Sequence, residues 1–236
     1  MAGRAAACKL PDARGRSSVS ELQAGDAAML KLWGRVTSSN VMKILFLLDE
    51  LGLPYERIDA GGAFGRTATP EYRAMQPAGL VPALEDGDFS LFESNAILRY
   101  LVNAHAPASP LYPAAPRARG TIDAWLDFQQ TALGPPHTVF FIGLVRTPPE
   151  QRDMAAIGRA VREAAALWTI LDARIARLGW IAADHFSLAD IAFGVHVHRW
   201  FGLDLPGRPD LPHLRAWYDA LLARPAYAAH CAGPLV

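Results

Sequence analysis

Four prolines, Pro107, Pro110, Pro113 and Pro116, fall between residues 106 and 116 of this 236-residue chain. Proline fixes φ and offers no backbone N–H, so neither a helix interior nor a central strand runs through such a segment. Residues 106–116 therefore read as a linker, and the apolar patterning changes character across it. Upstream the period switches between that of strands and that of helices. Downstream it is helical throughout.

The upstream part opens with Met29-Leu30-Lys31-Leu32-Trp33-Gly34, an alternating run that predicts a strand. Val41, Ile44, Leu45, Leu48 and Leu51 recur at helical spacing behind the capping residues Ser38, Ser39 and Asn40, and Gly52 and Pro54 stop that helix. Tyr55 to Asp59 predicts a second strand, parallel to the first because a helix separates them. A short helix is expected from Pro70 to Met75. Strands at Val81–Glu85 and Phe89–Phe92 follow, joined by the turn residues Asp86-Gly87-Asp88. A helix from Ser94 to about Ala104 closes this part.

Beyond the linker, Ile122, Trp125, Leu126 and Ala132 mark one helix. A long helix carries Met154, Ile157, Val161, Trp168, Leu171, Ile175 and Leu178 and ends at Gly179. Leu188, Ile191, Ala192 and Val195 mark another, and Leu214, Trp217 and Leu221 a further one. The order strand–helix–strand, short helix, hairpin, helix, then helices alone places an α+β N-terminal thioredoxin-like domain over 29–105. An all-α C-terminal helical bundle domain follows over 117–236. Residues 1–28 carry no sustained period and are expected to form a disordered N-terminal extension.

Composition narrows the partners. Apolar residues make up 51 % of the chain, enough for a packed core, while 23 Lys and Arg balance 23 Asp and Glu. A chain without a basic surplus is not patterned as a nucleic-acid or anionic-membrane binder. No apolar run has the length of a membrane span, and the first residues lack the apolar stretch of a secretory signal. Cys8 and Cys231 stand near opposite ends and form no Cys-x-x-Cys pair, which fits a reducing, cytoplasmic setting and no zinc site. His196 and His198 lie two apart on a predicted helix and so share no face. No metal is expected.

The residue types in three stretches suggest chemistry. Ser38, Ser39 and Asn40 stand in the loop before the first long helix, where hydroxyls and the helix dipole favour an adjacent negative charge. Capping alone explains the same residue types. Val81-Pro82 sets a proline at the head of a strand, where it has no N–H to contribute. Glu93-Ser94 precedes a helix N-terminus, a position suited to a carboxylate and an ammonium together. Ser187-x-x-Asp190 reads as a capping box with no catalytic role.

These stretches carry a resemblance. The runs Gly34-Arg35-Val36-Thr37-Ser38-Ser39-Asn40-Val41-Met42-Lys43, Gln76-Pro77-Ala78-Gly79-Leu80-Val81-Pro82-Ala83-Leu84, Phe92-Glu93-Ser94-Asn95-Ala96-Ile97 and Phe186-Ser187-Leu188-Ala189-Asp190-Ile191-Ala192 resemble, in order and spacing, the cytosolic glutathione transferase family. The first run looks most like bacterial members with Ser or Thr and Asn in this loop.

The resemblance implies glutathione as co-substrate and no metal. It implies Ser38 as the hydroxyl facing the sulfur, with Asn40 as a second donor and Ser39 as the competing serine. It implies a cis Val81-Pro82 bond, with the Val81 backbone pairing the cysteinyl part of the tripeptide, and Glu93 and Ser94 holding its γ-glutamyl head. It also implies a homodimer and a hydrophobic electrophile. The acceptor pocket would lie between the domains; Trp125, Phe128, Phe140, Phe141 and Trp200 are candidate lining, with core packing the commoner reading for any one of them.

One departure stands out. Leu80 occupies a position where the family often has Lys, and Gln76 one where it often has Asn, so the cation for the glycine carboxylate has to come from elsewhere. Besides conjugation, glutathione-dependent disulfide or peroxide reduction fits the same site. A non-catalytic binding protein on the same fold is the third reading.

Overall fold

The computed structural model describes residues 29–236; the expected extension over 1–28, with Cys8, lies outside them. Strand β1 (Leu30–Trp33) leads into helix α1 (Ser39–Leu51) and strand β2 (Tyr55–Ile58). After α2 (Pro70–Met75) come the hairpin strands β3 (Ala83–Asp86) and β4 (Phe89–Phe92), then α3 (Ser94–His105). The sheet order is β2-β1-β3-β4, with β1 parallel to β2 and antiparallel to β3. This is the thioredoxin-like arrangement. In the hairpin, Asp86 pairs with Phe89 and Gly87 takes φ 62°, as a two-residue turn with glycine first requires.

Strand β3 starts two residues later than expected. Pro82 brings no N–H to a ladder, and the peptide bond between Val81 and Pro82 is cis, so pairing begins at Ala83.

The run Ile44-Leu45-Phe46-Leu47-Leu48 is buried on every side of α1. An amphipathic stripe would leave one face wet; a helix that is apolar all round is a core element. It is covered because α3 packs on it from the first part of the chain and α7 and α9 from the helical part. Gly34 permits this closeness at the head of α1. A Cβ there would clash with a Val41 methyl, so any larger residue forces the Val41 side chain to shift.

The helical part holds α4 (Pro116–Phe128), α5 (Gly134–Phe141), α6 (Met154–Leu178), α7 (Leu188–Gly202), α8 (Pro212–Leu222) and α9 (Pro225–His230). The helix expected to run through Ala132 differs. A π-helical turn, Gln129–Leu133, joins α4 to α5, and a second, Ile142–Arg146, extends α5. Pro135 and Pro136 sit in the first turn of α5, where proline is tolerated. Helix α9 was not anticipated; its six residues are too few to display a period.

No helix among the described residues is long and apolar enough to cross a membrane. Asp190 forms a buried hub. Its Oδ1 accepts the Ile181 N–H (3.0 Å) and Trp217 Nε1–H (2.9 Å), and its Oδ2 accepts the Ser187 N–H and hydroxyl, both at 2.9 Å. The expected capping box is thus part of a larger junction, binding the start of α7 to α8 and to the loop after α6.

Candidate functional site

The loop between β1 and α1 is the first component. Ser38 occupies the N-cap position of α1 with an extended backbone, and its hydroxyl makes no capping bond to the helix. The hydroxyl is therefore uncommitted at the positive end of a 13-residue helix. Ser39, the first helical residue, lines the same cleft as Ser38. Asn40 points elsewhere: its Oδ1 accepts the Ser94 hydroxyl at 3.2 Å. Its Nδ2 remains a donor. One side-chain bond thus joins the head of α1 to the head of α3.

At the head of α3, Ser94 is 4 % exposed. Glu93, exposed beside it, holds φ at 68°. The left-handed region costs a side-chain-bearing residue on the order of 1–2 kcal/mol, and such strain collects at ligand sites. The Glu93 carboxylate accepts Gln130 Nε2 from the helical part at 3.2 Å.

Val81 stands before β3, in a turn held from both sides. The Tyr72 hydroxyl donates to Leu80 O at 2.6 Å, and buried Gln76 accepts the Ala78 N–H at 2.8 Å. Gln76 thus shapes the approach to Val81. Leu80 is 61 % exposed. The fold brings Ser38, Asn40, Val81, Glu93 and Ser94 to one end of the sheet, where β1 ends, β3 begins and the heads of α1 and α3 lie.

Residues that sequence reasoning missed complete the surroundings. Lys43 is 2 % exposed, and its Nζ donates to Asn95 Oδ1 at 2.6 Å and to Gln129 Oε1 at 3.4 Å. Asn95 in turn donates to Leu126 O at 2.9 Å, so a polar chain crosses from α1 through α3 to α4 and the π turn. Gln129 also meets His196, at 2.8 Å. Its side chain is directed inward from the π turn, a distortion common near functional sites.

Burial drives the Lys43 ammonium down to about 7, against attraction from Glu93. The unfolded chain, with an ordinary lysine, keeps its proton up to about 10.5. Below pH 7 both states are charged and the burial cost is complete. As pH rises from 7 towards 10.5 the folded state gives up the proton first, so stability rises. Relative to Lys43→Met, the wild-type unfolding free energy should gain about 2 kcal/mol between pH 7 and pH 9. Urea titrations at the two pH values check this, and a constant difference between the proteins would mean that Lys43 does not titrate there.

Beside Ser38 a cleft of about 190 Å³ is lined by Arg35, Thr37, Ser38 and Ser39 from the first part of the chain. Thr138, Phe141, Ile142, Arg146 and Arg199 line it from the helical part. It lies where the acceptor pocket was expected, but the expected aromatic lining needs correction. Phe140 and Trp200 are fully buried core residues, and Trp125 packs on Phe128 and Phe193 beneath the Arg174 guanidinium. Of the five aromatics, only Phe141 lines the cleft. The histidines have other partners: His198 meets the Tyr218 hydroxyl and Gly233 O, and His196 and His137 meet edge-on in the core. Among the described residues no group of three or more His, Cys, Asp or Glu is placed to hold an ion.

The Arg35 guanidinium lies close to Val81. A Cβ at Gly61 would meet it at 3.1 Å and the Val81 side chain at 3.0 Å, so Arg35 and Val81 rest on the same glycine. Nothing in the local pattern of the first loop marked Arg35 as a site residue, because the loop from 61 to 65 meets it only in the fold.

Comparison with known proteins agrees with this geometry. The glutathione S-transferase N-terminal domain family matches residues 28–103, and the glutathione S-transferase C-terminal domain family matches 154–220. The chain is 43 % identical over 200 residues to glutathione S-transferase GstB of Escherichia coli K12, covering 84 % of this chain and 95 % of that protein. It is 32 % identical over 200 residues to glutathione S-transferase 4 of Zea mays, covering 84 % and 89 %. Its structure is similar to the theta class glutathione S-transferase of Xanthomonas axonopodis pv. citri with glutathione bound. There the TM-score is 0.82 and the identity 42 %, over 88 % of this chain and 99 % of that one. Both domain families in order, a relative aligned over nearly its whole length and a site assembled at one end of the sheet lead to one conclusion: this chain belongs to the glutathione S-transferase family of enzymes.

Proposed function

We propose that the enzyme binds glutathione at this end of the sheet, holds its sulfur as a thiolate against the Ser38 hydroxyl, and adds that sulfur to an electrophilic small molecule. The observation that carries this reading is the Ser38 hydroxyl, free of any capping bond at the N-terminus of α1 and open to the cleft. A thiol of pKa near ~8.5 is mostly protonated at neutral pH, and a donor plus the helix dipole favour the charged form. Asn40 supports the Ser94 hydroxyl and supplies a second donor. The Val81 backbone pairs the cysteinyl part, as a strand addition. Glu93 takes the ammonium of the γ-glutamyl head, and the first N–H groups of α3, with the Ser94 hydroxyl turned from Asn40 to the ligand, take its carboxylate. Arg35 takes the glycine carboxylate in place of the absent lysine.

In this reading 29–105 is the glutathione-binding domain and 117–236 completes the acceptor cleft, in a cytoplasmic homodimer whose size sedimentation measures. A panel of aryl halides, hydroperoxides and a disulfide, each with and without glutathione, tests the reaction. Glutathione-dependent turnover confined to the disulfide or the peroxides would replace conjugation by reduction.

Binding has its own test. By calorimetry Glu93→Gln and Ser94→Ala should each weaken glutathione by about 1.5–3 kcal/mol, the worth of a contact to a charged group. Arg35→Gln should weaken glutathione but not its glycine-carboxyl ester. Wild-type affinity in the folded variants removes the corresponding assignment.

A further inference from the structure

The acceptor cleft has an unbalanced charge. Three of its lining residues are arginines, Arg35, Arg146 and Arg199, and no Asp or Glu lines it. Among the described residues none of the three forms a salt bridge with a carboxylate side chain. Arg146, exposed at the end of the second π turn, donates to Thr37 O at 3.4 Å and to Val236 O at 3.0 Å. It is therefore adjacent to the residue that precedes Ser38. In the glutathione complex proposed above, the glycine carboxylate offsets Arg35 and the thiolate at Ser38 a second charge, which leaves one cation of the three for the acceptor.

Arg199 is 6 % exposed and lies 3.8 Å above the Phe141 ring, without a hydrogen-bond partner that would localise its charge elsewhere. Burial and the neighbouring Arg146 push its guanidinium down to about 10, and burial and Arg35 lower Arg146 likewise. Each of these cations raises the cost of the next, which is the condition an anionic ligand relieves. Phe141 and Ile142 supply an apolar wall beside them.

We propose that the electrophile this enzyme prefers carries an anionic group, such as a carboxylate, on an apolar body, and that Arg146 holds that group while Arg199 supplies supporting charge. The inference rests on the conjugation reading above. Arg35, committed there to the glycine carboxylate of glutathione, is not needed for it. In the reaction the thiol proton leaves to solvent. A sulfur lone pair then forms the new C–S bond at the carbon bearing the halide, and the C–halogen bond breaks with its electron pair going to the halide. The carboxylate takes no part; it orients the ring so that the reacting carbon faces the sulfur at Ser38.

The test compares 4-chloro-3-nitrobenzoate with 4-chloro-3-nitrobenzamide, which share a leaving group and differ in charge. Each kcat/KM is divided by the uncatalysed rate constant with glutathione, which removes the difference in intrinsic reactivity. The benzoate acceleration should exceed that of the benzamide by about tenfold or more, the factor one charge-assisted contact supplies. Arg146→Gln should bring the ratio towards one, and Arg146→Lys should retain part of it. Arg146 is exposed, so neither variant threatens folding. Equal acceleration of the two substrates overturns the inference and leaves the transferase reading standing. Acceleration of neither overturns the transferase reading and the inference with it. A benzoate preference that survives in Arg146→Gln overturns the assignment of the anion to Arg146.

Discussion

Asp190→Ala should lower the unfolding free energy by about 3–5 kcal/mol, the range for removing one partner from a buried, fully bonded polar junction. The carboxylate is completely buried and accepts four donors. Burial pushes its pKa up, while the Ile181 N–H, the Ser187 hydroxyl, the Trp217 indole and the Ser187 N–H pull it back. Alanine leaves those donors unpaired where water does not reach them, which costs more than the lost bonds were worth. Asp190→Asn keeps an oxygen for Ile181 and Trp217 but turns an N–H₂ towards the two Ser187 donors, so an intermediate loss is expected. Ser187→Ala removes one of the four donors, and about 1 kcal/mol should go with it. Urea titration of the three variants measures the series. A midpoint for Asp190→Ala indistinguishable from wild type would show that the junction contributes nothing. Glutathione affinity in the variants that remain folded should be unchanged, since the junction lies in the helical part, away from the site.

Ser38→Ala should raise the pKa of the bound glutathione thiol by about one to two units. A hydrogen bond to a charged group is worth roughly 1.5–3 kcal/mol, and one unit is about 1.4 kcal/mol. The sign follows from which form the hydroxyl serves. It donates to the thiolate, so its loss disfavours the charged form and the pKa rises. At neutral pH the thiolate fraction falls, and the conjugation rate with it, by about ten- to a hundredfold at the limit. Asn40 and the helix N-terminus still favour negative charge and moderate the loss. Affinity for an S-alkylated glutathione should change little, because Val81, Glu93 and Ser94 hold the rest of the tripeptide. Thiolate absorbance of the bound tripeptide against pH, for wild type, Ser38→Ala and Ser39→Ala, decides between the two serines. A shift in Ser39→Ala alone transfers the role to Ser39. No shift in either leaves Asn40 Nδ2 and the backbone amides as the stabilising groups.

The elements legible in the sequence are those whose signals are local. The alternation of Leu30-Lys31-Leu32-Trp33, the stop at Gly52, the Asp86-Gly87-Asp88 turn and the closing Gly179 each act through their own φ, ψ and neighbours, and each was found where expected. The proline-rich linker likewise holds no helix or strand before α4 begins at Pro116.

The sequence by itself determined the order of strands and helices, because periodicity and capping chemistry are written within a few residues of each other, and its resemblance to the family made Ser38, Asn40, Val81, Glu93 and Ser94 the candidates. Tertiary structure alone decided that Lys43 is buried against Asn95 and Gln129, that Phe140 and Trp200 belong to the core, and that Arg35, Arg146 and Arg199 meet beside Ser38. Thr37 and Arg146 are 109 residues apart along the chain. No local period encodes such a meeting. The charge of the cleft arises only when the packing of the helical part on α1 brings distant cations together, where each is felt by the next.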